Sequence, residues 1–342
     1  MNISWNILSK YRNELYGISI LWVIFLHGLN FKRSSTPYFL EIFEPLLKHG
    51  NCGVEIFLFL SGIFLYFSME KDSNIYSFWK KRLKRILIPF ILIDGVYWGY
   101  VCIIKEHDIF LFIKNITFYS FWFEGNPQVW FIATIIFLYF IYPFIYSKIL
   151  KNQKINRLLY IILFCALSYL MCYIFKSFTP QWYRMVEIGL TRIPVFLIGS
   201  YCGILVYSGK AINTNIKFLS LIFVLVGLGY FYVHPISLIN NFRIPYLLVG
   251  PSLAIWISVC LEIVSSTKAN RLLSLWGGLS LELYLSHVVL RKIFLASPIY
   301  GKSAVANFHK YLIFVLLGAY VISKLVVYVQ EKVILKVNHD NK

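Results

Sequence analysis

Charge is what this chain has least of. Asp, Glu, Lys and Arg make up only 14% of its 342 residues, against roughly 25% in an ordinary soluble domain. Hydrophobic residues make up 59%, and the mean hydropathy is +0.68. Too little polar surface remains to coat a water-soluble globule, so a lipid bilayer must cover much of it. The sequence also has no C-x-x-C, no H-E-x-x-H and no glycine-rich phosphate loop, which leaves metal and nucleotide motifs without support. Its six cysteines show no paired framework, and most lie inside apolar runs, where Cys behaves as a small hydrophobe. Finally, no soluble stretch is long enough to fold by itself. Nucleic acid is therefore excluded as a partner despite the net charge of +18.

What the chain does have is long apolar runs. About 20 apolar residues are needed to cross a hydrocarbon core of about 30 Å, and ten runs approach that length: 15–31, 50–68, 86–104, 129–147, 157–175, 190–208, 217–234, 245–264, 279–298 and 311–330. Lipid tolerates no unpaired backbone, and the alternating pattern of a barrel is missing, so the spans are expected to be helices. The predicted fold is all-α, a polytopic bundle of about ten transmembrane helices in one domain over residues 1–342. Lys10 and Arg12 precede the first run as in a signal peptide, but no small-residue cleavage site follows, so that helix is expected to be retained.

Basic residues set the expected orientation. Lys71, Lys80, Lys81, Arg82, Lys84 and Arg85 crowd one loop, and Lys148, Lys151, Lys154 and Arg157 another. Both are placed in the cytoplasm, and an even number of spans puts both termini there too. The aromatic segment 105–128 then falls outside, either as a helix lying in the membrane interface or as a cover over a substrate entrance.

An ionisable side chain inside a span costs roughly 2.5–3.5 kcal/mol, which makes each one a functional candidate. His27, near the outer end of the first span, and Glu55, near the outer end of the second, are expected at one depth. Glu55 would then orient the imidazole, with His27 as general base toward a hydroxyl. The bland reading of the same pair is a polar tie between two helices. Arg82 and Arg85, three apart, share one face of a helix and suit phosphate, although topology alone also calls for basic residues there. His287 and Glu282 lie in the ninth span, where helix packing and substrate lining explain them equally. Ser61 and Gly62 suit close helix packing. His49, His107, His234 and His309 lie in loops or at boundaries and carry no signal.

These pieces, in this order, resemble the acyltransferase family 3 membrane proteins. The likeness runs from about residue 10 to 290. It rests on the apolar run Leu21 to Leu26 closing in His27; on Gly53-Val54-Glu55-Ile56-Phe57-Leu58-Phe59-Leu60-Ser61-Gly62; on the basic stretch with Arg82 and Arg85 leading to Pro89; on Trp130-Phe131 opening a span that closes in Tyr142-Pro143; and on Ser280, Tyr284 and His287, which match the pattern Ser-x-x-x-Tyr-x-x-His. The family usually has an Arg eleven residues before the first-helix His. Here that position is Tyr16, with Arg12 one turn earlier.

The resemblance implies transfer of an acyl group, commonly acetyl from acetyl-CoA, to a hydroxyl of a cell-envelope glycan or glycolipid at the cell membrane. Acyl-CoA is then a co-substrate, and no tightly bound cofactor or metal is expected. His27 and Glu55 become the catalytic pair, Arg82 and Arg85 hold the coenzyme A phosphates, and Arg12, Ser61, Tyr284 and His287 line the substrate path. The competing classes are a lipid-linked glycan flippase or polysaccharide polymerase, and a non-catalytic sensor or scaffold. A flippase of this size usually shows matched, Gly/Pro-interrupted spans in two halves, and these are missing here.

Overall fold

The computed structural model of the chain describes residues 3–29, 38–234, 242–264, 267–301 and 304–339. Among the described residues there is no strand, only one isolated bridge between Ser4 and Ala211. After a single turn of helix at Ile7–Lys10, the helices in chain order are α1 (Arg12–Leu29), α2 (Tyr38–Leu47), α3 (Cys52–Lys71), α4 (Ile75–Lys105), α5 (Ile109–Ile116), α6 (Tyr119–Glu124), α7 (Trp130–Leu150), α8 (Arg157–Phe178), α9 (Pro180–Leu190), α10 (Ile193–Tyr207), α11 (Thr214–Val233), α12 (Ile244–Val264), α13 (Thr267–Gly278), α14 (Ser280–Ala296) and α15 (Ala304–His339).

The all-α polytopic class holds. Eight helices among the described residues are long and apolar enough to span a membrane, or nine if the α13–α14 pair, bent by 71°, is one span. The expected ten is corrected at two places. α1 opens on Arg12, Asn13 and Glu14 and carries His27 near its end, so its composition falls short; residues 30 and 31 of the expected run lie outside the described residues. The run at 279–298 is the 17-residue α14, which breaks at Leu279 from α13.

Local sequence explains where several helices start. Asn74, Asp108, Asn156 and Asn213 each accept a hydrogen bond from a first-turn N–H, at Ser77, Leu111, Leu159 and Asn215, as good N-caps do. Before α4 the cap is doubled. Asp72 accepts from Ser77 Oγ at 2.7 Å and from the Asn74 N–H at 3.0 Å. The Ser77 hydrogen bond holds the Asp72 carboxyl below its usual range.

Small residues let the helices approach closely, the main packing device where lipid supplies no hydrophobic drive. Gly62 on α3 faces Gly199 on α10, with Gly203 one turn on; a Cβ at Gly199 would stand 2.1 Å from the Phe59 carbonyl oxygen. Gly17 on α1 is as tightly placed against α13, and Gly277 on α13 leaves even less room, since a Cβ there would lie 1.7 Å from the Asn13 oxygen.

The segments that charge placed on one side do gather at one end of the bundle. Lys10 pairs with Glu262 at 2.7 Å, the Trp5 N–H donates to Lys210 O at 2.9 Å, and Tyr146 donates to Glu70 at 2.9 Å. The aromatic segment contains α5 and α6 and leaves Ile109, Phe110, Ile113, Tyr119 and Phe123 exposed. Two of its polar side chains turn inward: Asn126 donates to the buried Asn115 at 2.8 Å and accepts from the Gln128 N–H at 3.0 Å.

Candidate functional site

A cavity of ≈ 110 Å³ opens near the basic end of the bundle, where α1, α3, α4, α7 and the α13–α14 bend meet. Its lining includes Arg12, Tyr16, Ser61, Arg82, Arg85 and Tyr284. Five residues that the sequence marked separately are thus brought together, and Tyr16, which stands where an Arg was expected, joins them. Helical spacing puts Arg82 and Arg85 on one face of α4. Arg12 is held from below, its guanidinium 4.1 Å from the Phe64 ring centroid and 5.6 Å from that of Tyr16. Its Nε has no hydrogen-bond partner among the described residues. Three guanidiniums around one small hollow suit an anion. At this size it holds one group of a ligand and not the whole of a drug-sized one, which needs about 300–1,000 Å³. A second, larger cavity of ≈ 630 Å³ among α7, α8, α9 and α10 is almost wholly apolar, with Lys148, Ser168 and Cys172 as the polar exceptions in its lining.

Farther along α1 and α14 stands a pair of histidines. The rings of His27 and His287 are 5.3 Å apart, and the Tyr284 ring lies 5.3 Å from His287. Tyr284 therefore touches both the arginine-lined cavity and the histidines. Tyr284, His287 and Arg291 recur at three and four residues, one face of α14. His287 Nδ1 lies 3.1 Å from the Leu283 carbonyl one turn back. A carbonyl only accepts, so this nitrogen carries the proton and Nε2 keeps a lone pair. That Nε2 is buried and has no partner among the described residues. Arg291 Nη1 lies 3.2 Å from His27 Nδ1.

The expected meeting of His27 with Glu55 is not found. Gly53 packs on Ser19 and Gly50 on Trp22, which sets α3 antiparallel to α1 with Glu55 level with Gly17. His27 is ten residues farther along, about 15 Å at 1.5 Å per residue. Glu55 instead pairs with Arg192 at 2.9 Å, the two side chains only 2% and 0% exposed. Arg192 also donates to the Ile188 carbonyl at 2.6 Å and lies 4.7 Å from the Trp130 ring centroid. Nearby, Arg243 pairs with Glu187 at 2.9 Å. The four charges sum to zero and tie α3, α9 and the starts of α10 and α12 together. Sequence reasoning passed over Arg192, Arg243 and Glu187. The signal was available, because a carboxylate buried in a span requires a cation.

Comparison with known proteins gives one match. A family model described as an acyltransferase domain matches residues 15–324. No curated protein and no solved structure matches the chain.

Proposed function

The chain belongs to acyltransferase family 3, a family of membrane acyltransferases, and on that premise we propose that it moves an acyl group, acetyl in the first instance, from acyl-CoA to a hydroxyl of a cell-envelope glycan or glycolipid. One observation carries this reading. The arginine-lined cavity and the histidine pair sit on the same two helices, α1 and α14, at successive levels. From Tyr16 to His27 is eleven residues of helix, about 16 Å. Arg82, Arg85 and Arg12 grip the donor's phosphates at the basic end, which the charge pattern assigns to the cytoplasm. The donor's thioester arm passes Tyr284 to reach the histidines.

The chemistry follows from which nitrogen is available. The acceptor O–H gives its proton to His287 Nε2, the oxygen attacks the thioester carbonyl carbon, the C–S bond breaks, and the thiolate leaves and takes that proton. His27, whose Nδ1 is engaged by Arg291, offers Nε2–H to the oxyanion. This moves the base from His27, where depth alone had put it, to its neighbour. Glu55 contributes through Arg192 as a structural tie.

The test has two readouts. In detergent the purified protein should consume acetyl-CoA, which a flippase has no reason to do. In cells, the envelope glycan should carry an acyl mass increment only when the protein is present. Loss of both results would remove this reading.

A further inference from the structure

On the outer flank of the histidine pair lies a second polar cluster. It is built from α4, the turn before α7, and α14, with Asp94, Trp98, Gln128 and Lys292 as its members. Lys292 follows Arg291 directly, donates to Gln128 Oε1, and stands over the rings of Trp98 at 4.9 Å and Tyr97 at 5.6 Å. The Asp94 carboxylate is close enough to the Gln128 amide to accept from it, and it interacts with the charge of Lys292.

Trp98 Nε1 is buried with no hydrogen-bond partner among the described residues, and Asp94 Oδ2 and Gln128 Nε2, though close enough to reach each other, make no bond of good geometry there. An unsatisfied polar group at membrane depth is costly, and the indole N–H of Trp98, beside a carboxylate and an amide with bonding capacity to spare, gives a ligand hydroxyl something to complete. The backbone agrees. Ile91–Gly95 and Gly99–Lys105 are π-helical turns flanking Tyr97 and Trp98. Such turns are rare and concentrate at functional sites. Gln128 in turn is steadied by the inward network of Asn115 and Asn126.

We propose that Asp94, Trp98, Gln128 and Lys292 form the acceptor subsite, which binds neighbouring hydroxyls of a sugar ring and presents one of them to the histidines. The chemistry selects a polyol. A carboxylate oxygen accepts from one hydroxyl, while an indole N–H, an amide N–H and an ammonium donate to others, the mixed set that vicinal hydroxyls need. An aliphatic alcohol or an amine would leave most of these groups unpaired, which a polar pocket punishes. The proposal rests on the acyltransferase reading above and adds where its acceptor sits.

The test uses full-length protein carrying Asp94→Asn or Trp98→Phe. Each change keeps the shape but removes the carboxylate's charge or the indole donor. Acyl content of the envelope glycan is measured by mass spectrometry in cells making equal amounts of each protein, and coenzyme A affinity is measured on purified samples. The expected result is a loss of acylated glycan of about tenfold or more for each variant, the scale of one hydrogen bond involving a charged group, with coenzyme A affinity within twofold of the unsubstituted chain. Wild-type acyl content in both variants overturns the subsite and leaves the proposed function standing. Loss of coenzyme A affinity in both makes the cluster structural and also overturns the subsite. No acyl increment even with the unsubstituted chain sinks the proposed function first, and the subsite with it.

Discussion

Arg291 Nη1 lies 3.2 Å from His27 Nδ1, and a guanidinium can only donate. His27 therefore receives a hydrogen bond at Nδ1 and carries its own proton on Nε2. Its neighbour His287 has the opposite arrangement, with Nδ1–H committed to Leu283 and Nε2 open. The two rings are a donor and an acceptor facing one space, and that difference is measurable. Gln can mimic a donating Nε2–H but cannot act as a base. His287→Gln should lose as much turnover as His287→Ala, roughly 10²–10⁴-fold. His27→Gln should retain clearly more activity than His27→Ala. Greater retention by His287→Gln than by His27→Gln in a steady-state acetyl-CoA assay would reverse the assignment, and equal retention would remove it.

The Glu55–Arg192 pair should matter more for stability than for turnover. Removing one partner of a buried pair costs about 3–5 kcal/mol, because the other charge is left without compensation. Glu55→Ala and Arg192→Ala should each lower Tm in detergent, and the double variant should be less destabilised than the sum of the singles. A full loss of turnover in Glu55→Gln at unchanged Tm would restore Glu55 to the chemistry.

Arg82→Ala and Arg85→Ala should each weaken coenzyme A binding. A charge-assisted hydrogen bond contributes about 1.5–3 kcal/mol, so isothermal titration should record a loss of about 10-fold to 150-fold per residue. Because Arg12 faces the same cavity, Arg12→Ala should behave alike. Unchanged affinity in all three would leave these residues as markers of topology.

Two glycines should tolerate nothing larger. A side chain at Gly199 or Gly277 meets backbone rather than a movable side chain, at 2.1 Å and 1.7 Å. Gly199→Val and Gly277→Val should abolish the monodisperse peak in fluorescence-detected gel filtration. Survival of either would mean the helices at that crossing can part without cost.

Sidedness is open to direct labelling. Lys81→Cys should be modified by an impermeant thiol reagent only after the cells are opened, and a Cys at position 110 should react in intact cells. Access to position 81 from outside would invert the topology.

Much of the architecture was legible because the apolar runs are long and each demands one structure in lipid. Arg82 and Arg85 could be set on one face from spacing alone. The link between His27 and Glu55 failed for a physical reason: equal distance from a helix end says nothing about register when the connection contains another helix. Here α2 occupies part of it, and Gly53 against Ser19 fixes the offset. Arg192 was hidden by its place between Leu190 and Ile193, where a basic residue reads as the edge of a span. Asp94 was simply overlooked inside the run 86–104, although an ionisable group there meets the same criterion that singled out Glu55. Gln128 and Lys292 could not be tied to it by sequence, since only folding brings residues 94, 128 and 292 together.

The buried charge quartet also limits how this chain can drift over generations. A substitution that neutralises Glu55 strands Arg192, and one that neutralises Glu187 strands Arg243. Viable lineages must therefore change both members of a pair or neither, through an intermediate that is poorly folded. In descendants of this sequence, positions 55 and 192 should covary, as should 187 and 243, while the two pairs remain free to be lost one at a time.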